Sequence, residues 1–163
     1  VTAFDALATE PQPLGEVRGF EGEIRSASFD YGIHWFLTEP SPVVDAAAVH
    51  GHSLHLAGRA TRGDQIVHFV ADVDAIAQFQ GQRAVPSAAA SASVHGSDAR
   101  LDVRFDIASW IGGIDFDAAA EAGSAEPFVI EPGTSDYNGI VIAMVATFPP
   151  ELVWSGASVK SAE

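Results

Sequence analysis

Cysteine is absent from the chain, methionine occurs once (Met144), and lysine occurs once (Lys160). Without cysteine there are no disulfides, thiolate metal sites, iron–sulfur clusters, covalent c-type haem attachment or cysteine nucleophiles. With one thioether in the chain, a soft copper(I) site lacks a ligand set. Basic residues are also scarce: 8 Lys and Arg face 22 Asp and Glu, a formal net charge of −14, and the arginines are scattered from Arg18 to Arg104. A polyanion meets a repulsive field with no basic stripe to overcome it, so nucleic acid and anionic membrane surfaces are poor partners. Long apolar runs are missing as well. The longest, Ile140–Phe148, falls far short of the roughly 20 residues of a spanning helix, so no transmembrane segment is expected.

What is present suits a water-soluble globule. Of 163 residues, 47% are hydrophobic and 18% charged, which argues against disorder. A chain of this length buries roughly 70% of its unfolded surface and folds without a disulfide or metal staple. A single β domain over 1–163 is expected, with 1–15 an extended lead-in around Glu10-Pro11-Gln12-Pro13 and 156–163 a flexible tail. The chain starts at Val1 rather than methionine and lacks cysteine, features that fit an exported, periplasmic or extracellular protein.

Period-two patterning dominates. From Glu16 the pattern is β-like, and Asp30-Tyr31-Gly32 marks a turn before a short strand at Ile33–Leu37 that Pro40 and Pro42 end. Val49–Ala60 and Gln65–Val73 form a hairpin around Thr61-Arg62-Gly63-Asp64, with Gly63 free to take a positive φ. The Arg-Gly-Asp tripeptide there is accounted for by the turn. Leu101, Val103, Phe105 and Ile107 alternate with Asp102, Arg104 and Asp106, as in a half-buried antiparallel strand. The Ala- and Ser-rich stretch Val85–Val94 carries no assigned element and reads most simply as a loop. After Ser109, one or two helical turns are expected at Asp115–Ala122, a short strand at Phe128–Ile130, and a helix through Asn138–Thr147 capped by Thr134 or Ser135 and stopped by Pro149-Pro150. Leu152–Trp154 is a final strand. The expected fold is a mainly antiparallel β-sandwich, immunoglobulin-like or similar, with one or two short helices in the C-terminal third.

Three of the six histidines crowd into Val49-His50-Gly51-His52-Ser53-Leu54-His55-Leu56. In a strand, side chains at i and i+2 share a face about 6.6 Å apart, so His50 and His52 would converge on one cation. His55 joins them only if the strand bulges, which Gly51 permits. His68 lies on the partner strand. A three-residue loop pairing Ala60 with Asp64 sets it opposite Leu56, on the face of His50 and His52; a two-residue Arg62-Gly63 turn shifts it to the face of His55. Imidazoles with nearby carboxylates such as Asp45, Asp64 and Asp72, and no thiolate, suit zinc, copper(II) or nickel.

Other constellations are weaker. No serine sits in a nucleophile-elbow context, and carboxylates are too abundant for any pair to stand out as acid and base. Asp115-Phe116-Asp117 begins like a calcium loop but lacks its glycine and terminal acid, and Gly112-Gly113 is no phosphate cradle. The reading that follows is an exported, non-enzymatic metal-binding or metal-handling protein whose ligands come from His50, His52, His55 and His68. The alternative is a structural or interaction module of an envelope or extracellular assembly, with the histidines incidental.

Overall fold

Two strands and a tight turn organise the candidate site. The computed structural model describes residues 3–16, 21–96, 98–121, 127–156 and 159–161. In it β4 (Leu54–Arg62) and β5 (Gln65–Val73) pair antiparallel from Leu54↔Val73 to Arg62↔Gln65 around Gly63-Asp64, with Gly63 at φ 59°. Neither expected register is the one formed, since Ala60 faces Val67. The reason is the match of apolar faces. In this pairing Leu54 and Leu56 sit across from Val73 and Ala71, both fully buried, so one side of the hairpin enters the core. The Ala60–Asp64 register would set Leu54 and Leu56 across from Val70 and His68 and split the apolar face.

The remaining strands are β1 (Gly22–Phe29), β2 (Ile33–His34), β3 (Val43–Val44), β6 (Val85–Val94), β7 (Arg100–Arg104), β8 (Phe128–Val129), β9 (Glu151–Ser155) and β10 (Val159–Ser161). Strands hold 38% of the chain against 16% in helices, so the fold is mainly β. The sheets are small: β1-β6-β10, β2-β3, β4-β5-β8 and β7-β9 among the described residues. The pairings between strands are antiparallel except for β5 with β8, which is parallel.

Several expectations need correction. The Ala/Ser stretch is not a loop but the longest strand, β6, at the centre of its sheet. Ala88, Ala90, Ala92 and Val94 are buried while Ala89 and Ser91 are exposed, a period of two carried by small residues. The tail also pairs in part: Val159–Ser161 lie against Ala92–Val94. Residues 157–158 and 162–163 of the tail, 1–2 of the lead-in, 17–20 of the first strand region and 122 of the second helix lie outside the described residues. The strand expected through Leu37 stops at His34, because the chain turns with Glu39 N–H on Phe36 O, and Trp35 Nε1 donates to Glu39 O.

The strand expected through Ile107 stops at Arg104, because Asp106 caps α1 (Ile107–Ile111), accepting from the Ser109 amide and hydroxyl. The Asp115 side chain accepts the amides of Asp117 and Ala118 at the start of α2 (Phe116–Glu121). The third helix, α3 (Ser135–Ile142), is capped by Thr134 and runs on as a π-helical turn, Ala143–Thr147. Tyr137, Ile140, Ala143 and Met144 are its buried stripe. They pack with Phe69, Ala71, Val73 and Ala75 of the β5 side, and with Trp110 and Ile130, to form the core.

The end of that helix explains two buried polar contacts. In the π pattern the Met144 carbonyl would take the amide of Pro149, which has no N–H. The Tyr31 hydroxyl takes its place, donating to Met144 O at 2.7 Å, and Trp110 Nε1 donates to Phe148 O at 2.8 Å. Burial pushes the Tyr31 hydroxyl's pKa well above the ordinary tyrosine range. No helix among the described residues is long and apolar enough to cross a membrane.

Candidate metal centre

The segment before β4 is a run of turns. Asp45 accepts the Ala47 amide with its side chain and the Ala48 amide with its carbonyl, and Gly51 N–H reaches back to Ala48 O. Val49 and His52 then form a bridge closed by His52 N–H on Val49 O at 2.9 Å. Between them His50 has φ 53° and Gly51 φ 85°. Two successive positive φ values are the pattern of a type I′ turn. Gly51 takes this at little cost; His50 does not, since an L-residue in the left-handed region gives up roughly 1–2 kcal/mol. His50 is the one non-glycine residue at positive φ among those described.

This turn changes which histidines meet. An extended Val49–Ala60 would have paired His50 with His52 on one face; instead the strand begins at Leu54 and the turn folds His50 back beside His55, their ring centroids 4.6 Å apart and 61° between planes. His55 lies directly across β4–β5 from Asp72, and its Nδ1 meets Asp72 Oδ1 at 2.7 Å. One ligand atom from each of His50, His55 and Asp72 lies within 4.8 Å of the others. His50 is exposed, and the other two are half-buried on the wet face of the hairpin.

His52 is directed elsewhere. Its Nδ1 meets Asp74 Oδ1 at 2.9 Å, just beyond the end of β5, while the Asp74 amide donates to the Tyr137 hydroxyl. His68 shares the face of His55 but stands opposite Arg59, exposed, four residues along β5 from Asp72, or about 13 Å. Thus of the four histidines read from sequence, the structure brings together His50 and His55, leaves His52 one pair away with its own carboxylate, and sets His68 apart. Asp72, named among the carboxylates near the cluster, is the one that completes it. Asp45 holds the turn, and Asp64 is in the hairpin loop. Asp74 was missed, though it stands at i+2 from Asp72 on the same alternation.

His55 Nδ1 and Asp72 Oδ1 are bridged by a hydrogen bond, and an ion held by both would replace that proton, with Nδ1 and the carboxylate oxygen as its ligands. Ligand atoms around a tetrahedral ion with bonds of about 2.1 Å lie about 3.4 Å apart. His50, exposed on a turn, is the member with freedom to close that gap. Two imidazoles and a carboxylate on an open face leave room for water as a further ligand.

Comparison with known proteins finds no matching family model, no matching curated relative and no matching solved structure.

Proposed function

We propose that this chain is an exported, non-enzymatic protein that binds a divalent transition ion, zinc or copper(II), through His50, His55 and Asp72. One observation carries the reading: a strained turn residue, a strand histidine and its cross-strand carboxylate converge from three stretches of chain. Strain of this kind is retained where surrounding structure and a task hold it. The donor set of imidazole and carboxylate without thiolate selects borderline ions. Export, to a periplasm or the extracellular space, rests on the cysteine-free, lysine-poor composition. The accompanying architecture is an open β-sandwich. A cavity lined from β1, β7 and β9 as well as from β4 supports a two-layer arrangement.

Calorimetric titration of tag-free protein with zinc and copper(II) tests the reading. The expected result is one site tighter than about 100 μM for at least one ion, weakened an order of magnitude or more by His55→Ala and left within about threefold by His68→Ala. Ligand imidazoles must be neutral, so affinity falls as pH is lowered. No binding by either ion, or equal behaviour of the two variants, refutes it.

A second reading, an interaction module, is favoured by a specific surface. Leu37 is 78% exposed, and Phe36, Val43, Val44 and Phe79 are exposed too, most of them on or beside the β2–β3 ribbon. Exposed apolar residues grouped this way mark contact surfaces.

A further inference from the structure

The hairpin's core edge borders a second feature that the metal reading does not use. A cavity of about 610 Å³ lies between β4, β1, β7 and the 3–16 segment. Its volume falls within the range of small-molecule pockets, about 300–1,000 Å³. Its walls are mostly apolar, with Phe29, Leu54, Leu56, Phe105, Trp110 and Met144 prominent. Water that fills such an open apolar hollow gains little from its walls, so an apolar ligand of matching shape would displace it favourably. The lead-in forms one wall through Phe4, stacked on Phe105 with centroids 4.9 Å apart. Among the described residues its side-chain hydrogen bonds are local, between Asp5 and Gln12 and from the Leu7 amide to Asp5 Oδ1.

The polar atoms along these walls are largely spent. Asp30 holds Arg83 and the Ala84 amide, Tyr31 donates to Met144 O, and Ser53 Oγ accepts from the Ala75 amide. His52 and His55 also line the cavity, each with Nδ1 on an aspartate. When that Nδ1 carries the proton, the free Nε2 is an acceptor. It therefore suits a hydroxyl hydrogen. A carboxylate would enter a molecule of net charge −14, beside the Asp72 and Asp74 carboxylates that hold these rings.

We propose that this cavity binds an uncharged apolar small molecule ending in a hydroxyl group, its hydrocarbon among the aromatic and leucine side chains and its hydroxyl on His52 Nε2. His52 stands outside the metal group, so this site does not depend on the metal reading.

The test uses the full chain treated with EDTA, so that its result stands whether or not a metal binds. Decan-1-ol and decanoate are titrated calorimetrically. Micromolar binding of decan-1-ol, with decanoate at least tenfold weaker, is expected. His52→Ala removes the hydroxyl's partner and lowers decan-1-ol affinity roughly five- to tenfold. Ala27→Trp puts an indole into the cavity from β1 and abolishes binding. No binding of decan-1-ol up to its aqueous solubility limit overturns the proposal, and so does tighter binding of decanoate. Full binding by a folded Ala27→Trp protein also overturns it. Should Ala27→Trp fail to fold, unchanged affinity in His52→Ala overturns the assignment of the hydroxyl.

Discussion

The turn at His50 joins stability to the proposed site, so substitution there gives a sharp test. With φ at 53°, His50 occupies the left-handed region. An L-residue there loses roughly 1–2 kcal/mol relative to its relaxed backbone. Glycine adopts the same conformation freely but gives up an extra 0.5–1 kcal/mol or so of chain entropy on folding. His50→Gly should therefore range from neutral to about 1 kcal/mol more stable. For a domain of this size that is a rise in Tm of up to about 4 °C. His50→Val places a β-branched side chain at positive φ and should cost about 1–2 kcal/mol, lowering Tm by several degrees. Both variants lose an imidazole, so both should bind zinc or copper(II) at least tenfold more weakly. Scanning calorimetry in EDTA reads the first effect, and titration of the ion reads the second. A His50→Gly protein that melts several degrees below the parent would show that the ring's contact with His55 holds the turn together. The argument from strain would then fail.

Other consequences follow from the packing and caps. Met144 is fully buried in the core, and Met144→Ala should cost about 2–5 kcal/mol, read as a fall in urea midpoint at constant slope. Gly58 faces Phe69 across the hairpin, and a Cβ there would stand 2.9 Å from the ring's Cζ; Gly58→Ala should cost about 1–3 kcal/mol by forcing that buried ring aside. Hydrogen bonds from the Ser109 hydroxyl and amide hold the Asp106 carboxyl below the usual aspartate range. Its cap on α1 is therefore complete above about pH 3.9 and is lost as pH falls through the lower folded value. The Ser109 amide resonance should titrate with a midpoint below 3.9, and a midpoint at or above it would refute the cap.

Much of the fold is legible in the chain because local chemistry agrees with the final state. Gly63 at a turn, Thr134 as a cap, Pro149-Pro150 as a stop and the strand at Leu101–Arg104 each rest on a few residues, and each is found where those residues point, although Leu101 itself is exposed. The same holds for the crowding of histidines beside aspartates. What failed is instructive. Alanine has no strong β preference of its own, so Val85–Val94 looked like a loop; it is a central strand because β1 and β10 pair with it on either side.

The site depended on tertiary structure more heavily still. Which histidines meet turns on a register, and a shift of one residue moves every side chain to the other face. The Leu54↔Val73 pairing is set by burying Leu54, Leu56, Ala71 and Val73 together, and it alone delivers Asp72 to His55 and leaves His68 opposite Arg59. Likewise, Val49–His52 could extend the strand or reverse the chain. The turns from Asp45 and the bridge to His52 decide for reversal, bringing His50 to His55 and directing His52 toward Asp74. Residue type and spacing determined that ligands were at hand; long-range pairing decided which of them could share an ion, because only burial of the opposite face selects among registers that are locally equivalent.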